Sequence, residues 1–183
     1  MSIPDRNQCY AILRERGVPP HIVAHCELVA KIGVFLARAL NEVGEHLNVP
    51  LVEAAGLLHD LTKHESLVTG ENHALSAARV LEELGYPEVA RIVAQHIFLL
   101  PGPPGSPLRE EEIVYYADKR VKHTEIVSLK ERFDDLRVRY AKGVGSLIRL
   151  YHLEELTRLL ERRIFKKLSF DPDQLKELVS EGN

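Results

Sequence analysis

The stretch AAGLLHDLTK, residues 54–63, closes an apolar segment with two polar side chains in succession, His59 and Asp60. A buried His or Asp destabilises a fold unless it is paired, hydrogen-bonded or bound to a metal. Because both residues are metal-ligand types, we interpret the pair as part of a metal site.

The composition describes a small globular protein. Its 183 residues indicate one domain with a small appendage, and a hydrophobic fraction of 45% is sufficient for a core. The formal net charge of -3 gives no overall sign of a nucleic-acid binder, and we interpret the basic run at 158–167 as a solvated helix face. Cys9 and Cys26 form no CxxC pair, and residues 1–7 are too polar for a signal peptide. No apolar run is long enough to span a membrane, so we expect a cytoplasmic protein without membrane contacts.

Apolar residues recur with a helical period along nearly the whole chain, and no segment predicts a convincing strand. Asn72 and Pro87 are typical helix-starting residues, and Gly85 is typical of a helix end. The predicted helices cover residues 21–43, 51–61, 73–84, 87–98, 109–124, 128–140, 147–167 and 174–179. The proline-rich stretch 100–107 predicts a stiff surface loop, and residues 65–71 predict a more mobile one. The predicted fold class is all-α, a helical bundle with additional C-terminal helices.

Metal-capable side chains share helix faces with apolar neighbours in this pattern. His25 lies four residues before Val29, for example, and Asp118 lies four residues after Val114. Each one alone has a simpler explanation, because a single His is more often a hydrogen-bonded core residue and Asp118 could pair with Lys122. Together they would fill a small core with polar groups unless one or two metal ions bound them. The candidate metal ligands are His25, His59, Asp60, His73, His96 and Asp118.

The order of these residues resembles the HD superfamily of metal-dependent phosphohydrolases. His25, the pair His59-Asp60 and Asp118 correspond to the H…HD…D pattern of that superfamily. The sequence HDLTK, which begins at His59, is similar to the HDIGK-type variant of the motif. Imidazole and carboxylate ligands favour Fe, Mn, Co, Ni or Zn, with Mg as an alternative.

His73 and His96 resemble the additional ligands of the six-ligand, two-metal branch. That branch includes bacterial diadenosine tetraphosphate hydrolases and HD-GYP cyclic-dinucleotide phosphodiesterases. The segment VYYADK, residues 114–119, is similar to HD proteins from bacteria. No GYP triplet follows the His-Asp pair, which disfavours cyclic-dinucleotide cleavage.

The resemblance covers residues 21–132 and implies a fold and a division of the chain. We expect an HD domain over residues 1–140 and a C-terminal helical tail over residues 141–183 that packs on it.

The resemblance also implies roles for the candidate ligands. It assigns a first metal site to His25, His59, Asp60 and Asp118. It assigns a second site to His73 and His96, with Asp60 as the bridging ligand, while many members of the superfamily use a single metal. Asp60 and His59 are the expected catalytic residues, and their position next to Lys63 adds this lysine to them.

Two lysines are the predicted substrate contacts. Lys63 follows the ligand pair directly and can supply a point charge to a phosphate; the alternative is a surface cation that complements a helix C-terminus. Lys122 lies one helical turn after Asp118 and can reach the same pocket. Lys119 and Arg120 point elsewhere on an ideal helix.

The resemblance implies hydrolysis of a phosphoester or phosphoanhydride of a nucleotide-like small molecule by a metal-activated hydroxide. The alternative is a regulatory HD module that binds a nucleotide without turnover, and the presence of all six candidate ligands favours catalysis. A structural zinc bundle is disfavoured, because such sites are closed and often rich in cysteine. We expect a phosphorylated small molecule as partner, no nucleic acid and no membrane, with a homodimer left open.

Overall fold

A computed structural model describes residues 2–100, 102–103 and 105–181 of the chain. These residues are predominantly helical, which confirms the predicted fold class. In chain order the elements are α1 (Arg6–Glu15), α2 (Pro20–Glu42), α3 (Val49–Leu58), α4 (Lys63–Thr69), α5 (His73–Glu83), α6 (Pro87–Val93), α7 (Glu110–Lys119), β1 (Val121–Lys122), β2 (Glu125–Ile126), α8 (Leu129–Tyr140), α9 (Val144–Phe165), a 3-10 turn (Pro172–Gln174) and α10 (Leu175–Glu181).

The packing of α2 against α3 forms the centre of the bundle. Gly56 on α3 lies against the backbone of α2, where an added Cβ would come within 2.7 Å of Ala30 Cα. Only a glycine permits this approach without a shift of one helix. The close contact brings the C-terminal end of α3 next to the middle of α2.

Short polar signals begin and end several helices as the sequence predicts. Asn72 accepts hydrogen bonds from the backbone of the first turn of α5, and Pro87 lies in the first turn of α6. Gly85, just after α5, has a φ of +85°. These caps satisfy backbone groups that the helix ends leave without partners.

The prediction of a mobile loop over residues 65–71 was wrong. Most of this stretch belongs to α4, which ends at Gly70 with a φ of 72°. The helix has no buried residue, so its apolar positions gave no core-facing pattern in the sequence.

The prediction of one helix from residue 109 to residue 124 was wrong at its C-terminal end. The helix α7 stops at Lys119, and an antiparallel hairpin pairs Val121 with Ile126. His123 forms the turn with a φ of 55°. Arg120 holds this hairpin by donating from Nε to the carbonyl of Val127 at 2.7 Å.

Other helix bounds also differ from the predictions, among them the end of α3 at Leu58 instead of residue 61. The helix α6 ends at Val93, not near Phe98, so His96 lies in the turn that follows it. The N-terminal helix α1 was not predicted; Asp5 caps it by accepting from the Gln8 backbone. Of the proline-rich stretch expected to be a stiff loop, Pro101 and Pro104 lie outside the described residues.

The C-terminal helices pack on the preceding ones through polar contacts. Tyr115 on α7 lies 3.1 Å from Thr157 on α9, hydroxyl to hydroxyl, and Arg163 on α9 forms an ion pair of 2.6 Å with Glu112. The division at residue 140 stays a prediction. No helix within the described ranges has both the length and the apolar character that a membrane span requires.

Candidate metal centre and its pocket

The fold brings all six candidate ligands into one cluster. Two of them lie within helices, His25 on α2 and Asp118 on α7, and His73 is the first residue of α5. The others, His59, Asp60 and His96, lie in turns just after the ends of α3 and α6. All are buried except His73, which is half-buried.

The two carboxylate oxygens of Asp60 face different pairs of imidazoles. Its Oδ2 lies 3.4 Å from His59 Nε2 and 3.8 Å from His25 Nε2. Its Oδ1 lies 3.2 Å from His73 Nε2 and 3.5 Å from His96 Nε2. Asp60 is therefore the one carboxylate of this cluster that contacts both pairs.

Asp118 completes the group around His25 and His59. Its Oδ1 lies 3.2 Å from His25 Nε2 and 3.7 Å from His59 Nε2. Three sets of potential ligand atoms result, each within 4.8 Å of one another. Two of them consist of candidate ligands alone, His25 with His59 and Asp118, and Asp60 with His73 and His96. The third joins the buried Cys26 to His59 and Asp60.

The imidazoles are oriented by hydrogen bonds on the side away from the cluster. The Nδ1 atoms of His25, His59 and His96 lie 2.8 to 2.9 Å from the carbonyl oxygens of His123, Gly56 and Val93. A carbonyl oxygen only accepts, so each Nδ1 carries a proton and the ring directs Nε2 into the cluster. Metal-ligating histidines are held by bonds of this kind.

Two buried polar atoms of the cluster have no hydrogen-bond partner, His59 Nε2 and Asp60 Oδ1. A buried polar atom without a partner destabilises a fold, and nearly all such atoms are satisfied in proteins. A divalent metal beside each imidazole pair would satisfy the two atoms. The cluster of histidines and aspartates thus fits a divalent metal, and its donor types suit the transition metals.

Burial and mutual contacts fix the charges of the cluster. Burial alone would raise the pKa of Asp60, but His59 and the nearby imidazoles of His73 and His96 hold it well below its usual range. The pKa of Asp118 is likewise lowered, against the effect of burial, by Lys119 and His25. Burial lowers the pKa of His96 to about 4. Both carboxylates are therefore ionised and His96 is neutral, as metal ligation requires.

His59 differs from His96 in its charge. Burial would lower the pKa of His59, but the carboxylate of Asp60 outweighs burial and raises this pKa well above its usual value. A metal that binds His59 must therefore displace a proton, which makes its affinity depend on pH.

Two lysines contact the ligand carboxylates. Lys63 opens α4, and its Nζ lies 2.6 Å from Asp60 Oδ2. Burial would lower the pKa of Lys63, but Asp60 and Asp118 raise it overall, so the side chain stays cationic. Lys119 Nζ lies 2.5 Å from Asp118 Oδ2 and donates to the carbonyl of His96 at 3.0 Å. Because Lys63 begins a helix, the alternative of a cation at a helix C-terminus does not apply to it.

The structure does not bring Lys122 to this group. Lys122 lies on β1, with its Nζ 3.8 Å from Asp135, and it is not among the residues that line the pocket beside the cluster. Its predicted position assumed that α7 continued past Asp118. Lys119 lines the pocket instead, although an ideal helix would direct its side chain elsewhere.

Arg132 on α8 is a pocket residue that the sequence reasoning missed. It is 9% exposed, and its Nη2 lies 3.8 Å from Asp118 Oδ1. A signal was present, because Arg132 shares its helix face with Leu129 and Leu136, three residues before it and four after it.

A cavity of about 400 Å³ opens beside the cluster. Asp60, His73, His96 and Asp118 line it, together with residues of α8 and α9. A larger groove of about 960 Å³ runs along α2 and α10 but is lined by none of the six candidate ligands.

Comparison with known proteins shows the family of this chain. The sequence profile of the HD domain matches residues 22–122, which include all six candidate ligands. An uncharacterized protein of Methanocaldococcus jannaschii is 30% identical over 155 residues, which cover 77% of this chain and 90% of that relative. The chain belongs to the HD domain family, within the superfamily of metal-dependent phosphohydrolases.

Two longer relatives carry the name tRNA (cytidine(56)-2'-O)-methyltransferase. The protein of Picrophilus torridus is 28% identical over 173 residues, 87% of this chain and 48% of that protein. The protein of Thermoplasma volcanium is 30% identical over 113 residues, 61% of this chain and 29% of that protein. The chain therefore matches about half or less of the length of each. No solved structure gives a significant match.

Proposed function

We propose that this protein hydrolyses a phosphoester or phosphoanhydride of a nucleotide-like small molecule with the help of one or two divalent transition metals. The observation that supports the proposal is the position of Asp60. Its two oxygens face separate imidazole pairs, next to an open cavity lined by cationic side chains. This arrangement suits a bridging carboxylate between two metals.

The residues divide into those that would hold metal and those that would hold substrate. His25, His59, Asp60 and Asp118 would hold one metal, and His73, His96 and Asp60 would hold a second. When bound, such a metal supplies Lewis acidity to a phosphoryl oxygen and lowers the pKa of a water towards about 7.

Lys63 is the proposed phosphate contact closest to the candidate bridging ligand. Its ammonium lies against Asp60, and its pKa is raised, so it acts as a fixed positive charge and not as a proton donor near neutral pH. Phosphate oxygens that enter the cavity can accept some of the hydrogen bonds that the Lys63 ammonium otherwise donates to Asp60. Lys119 stands in the same relation to Asp118.

Metal content and phosphate release test the proposal together. We expect the purified protein to contain one or two transition-metal ions per chain and to release phosphate from some members of a panel of nucleotides, dinucleoside polyphosphates and sugar phosphates. The names of two relatives refer to RNA, so ribonucleotides with and without a 2′-O-methyl group belong in the panel.

Asp60→Asn is the decisive variant, because it keeps the size of the side chain and removes its charge. We expect it to lose bound metal and at least about 100-fold in activity, since even residues that only support a ligand cost 10- to 100-fold. Asp173→Asn makes the same chemical change at an exposed position of the 3-10 turn and should keep both properties. Metal and activity at wild-type levels in Asp60→Asn would exclude the site. Nucleotide binding without phosphate release by the wild-type protein would favour the regulatory alternative.

A further inference from the structure

One face of α8 forms a graded wall beside the candidate metal centre. Arg132, Leu136 and Tyr140 all line the cavity and are spaced four residues apart, so they lie on one side of the helix. From Arg132 to Tyr140 this row spans about 12 Å, given a rise of about 1.5 Å per residue. All three lie outside residues 22–122, the range that matches the HD domain profile.

The inner end of the wall is cationic. Arg132 is 9% exposed, its Nη2 lies 3.8 Å from Asp118 Oδ1, and its Nη1 lies 3.4 Å from Asp135 Oδ2. Its Nε is buried without a hydrogen-bond partner. A guanidinium that lines the cavity and keeps one donor unsatisfied suits an oxygen of a phosphate group.

The outer part of the wall is apolar and ends in an aromatic ring. Leu136 is half-buried, and α9 adds the half-buried Leu150 and Leu153 to the lining, beside the polar Ser146 and Arg149. Tyr140, at the mouth, is 54% exposed. Apolar side chains and an aromatic ring, placed at a fixed distance from a cation, suit a flat heteroaromatic group joined to a phosphate.

The size of the cavity restricts the ligand further. A volume of about 400 Å³ lies near the lower end of the range of about 300–1,000 Å³ that is usual for small-molecule sites. The cavity suits a ligand with one nucleoside and is small for a dinucleoside polyphosphate.

We infer that α8 and α9 select a mononucleoside phosphate as the substrate: Arg132 binds the phosphate, and Leu136, Tyr140 and Leu150 hold the base. This inference rests on the proposed function, and it assigns substrate selection to the part of the chain beyond the match to the HD domain profile.

Binding of unreactive ligands tests the inference. The probes are the 5′-phosphonate analogues of adenosine, guanosine, cytidine and uridine, and inorganic phosphate, titrated calorimetrically into the full chain with its own metal bound. We expect at least one nucleoside analogue to bind at least 10-fold more tightly than inorganic phosphate. Arg132→Gln should weaken the binding of both kinds of probe by similar factors, with Arg132→Lys as an intermediate case.

Tyr140 provides the variant that separates base recognition from phosphate recognition. Tyr140→Ala should reduce the preference for the nucleoside analogue over inorganic phosphate by at least 10-fold, and Tyr140→Phe should restore most of it. Tyr151→Ala is the matched control, because Tyr151 on α9 is 53% exposed and does not line the cavity. It should retain the wild-type preference.

The inference is overturned if the wild-type protein binds the nucleoside analogues no better than inorganic phosphate, or if Tyr140→Ala behaves as Tyr151→Ala does. The first result would leave the apolar wall as a contact for another macromolecule. Failure of the proposed function is distinguishable, because it appears as absence of metal and of phosphate release from every substrate, including glycerol phosphate. Phosphate release without a preference for nucleosides contradicts the inference alone.

Discussion

At the scale of single residues, Asp60 connects the two imidazole pairs of the cluster, because a carboxylate has two oxygens and each can face a different partner. A carboxylate that is 1% exposed is tolerated only when its charge is compensated. Four imidazoles and the ammonium of Lys63 lie within 3.8 Å of it. An asparagine cannot replace it, because the amide nitrogen is a donor and would face an imidazole pair or a metal.

Lys63 gives a prediction that separates substrate binding from metal binding. Lys63→Met should keep bound metal, because no ligand is lost, but reduce kcat/KM for phosphate release by about 10- to 100-fold. A hydrogen bond to a charged group contributes about 1.5–3 kcal/mol, and a tenfold change corresponds to about 1.4 kcal/mol. Metal analysis and steady-state kinetics measure the two effects.

Lys130→Met is the control for this variant, since the Lys130 side chain is 75% exposed and pairs with Asp134 on α8. It should behave as the wild type. Full activity in Lys63→Met would show that Lys63 only neutralises Asp60.

The sequence predicted the ligand residues better than it predicted the cations around them. A His or Asp on an apolar helix face is visible as a break in hydrophobic periodicity, and this signal singled out His96 and Asp118. Lys119 was misplaced because its long side chain reaches Asp118 and the carbonyl of His96. Lys122 was misplaced because its position depends on where α7 ends. That end is set by the hairpin that Arg120 holds, a contact between elements and not a local preference.

At the scale of elements, the contact between α2 and α3 positions His25 beside His59. Gly56→Ala should force these helices apart, because the new Cβ would meet Ala30 Cα at 2.7 Å. We expect a loss of about 1–3 kcal/mol in the free energy of unfolding and weaker metal binding. Urea denaturation and metal titration measure these effects.

Gly145→Ala tests whether any added methyl group has this effect. Gly145 lies in the first turn of α9, and its added Cβ would have no atom within 4 Å. The variant should be neutral or stabilised by up to about 1 kcal/mol. Equal behaviour of the two glycine variants would contradict the role given to Gly56.

Ion pairs at the junction of α8 and α9 should make the stability of the fold depend on pH. Glu154 on α9 lies 2.5 Å from Arg137 on α8 and 2.6 Å from Arg158. Burial would raise the pKa of Glu154, but these arginines lower it overall. A carboxylate with a lowered native pKa stabilises the fold above its unfolded pKa of about 4.3, and this contribution is lost as the pH falls through the native pKa.

Glu154→Gln should therefore be less stable than the wild type at pH 7, by about 1–2 kcal/mol, with a smaller difference below pH 4. Urea denaturation at both pH values measures the difference. Glu155→Gln, an exposed neighbour on the same helix, should show little effect at either pH. A difference that stays constant with pH would contradict the ion-pair explanation.

At the scale of the whole molecule, two parts of the chain line the cavity. The candidate metal ligands come from residues that match the HD domain profile, and the adjoining wall comes from α8 and α9 beyond it. The proposed chemistry and the inferred substrate selection therefore lie on different helices, which meet where Arg132 is 3.8 Å from Asp118.

Removal of metal should destabilise the whole molecule. A metal at about 100 times its dissociation constant stabilises the native state by about 2.7 kcal/mol. For a domain of this size, about 2–4 °C in Tm per kcal/mol gives an expected loss of about 5–10 °C on treatment with a chelator. Calorimetry before and after chelation, and after metal is returned, measures this change. Asp60→Asn should show no response, and an unchanged Tm in the wild-type protein would contradict a resident metal.

The sequence by itself determined the all-α class, the main helices of the bundle and the six residues that converge on its centre. These features follow from local periodicity, helix caps and the free-energy cost of burying polar groups, and each can be recognised from the order of residues in the chain. Only the tertiary structure decided that Asp60 faces two imidazole pairs, that Lys119 and Arg132 border the cavity, and that α8 and α9 close it. Those relations depend on where helices end and how closely they approach. They arise from contacts between residues distant in sequence, which a pattern along the chain does not contain.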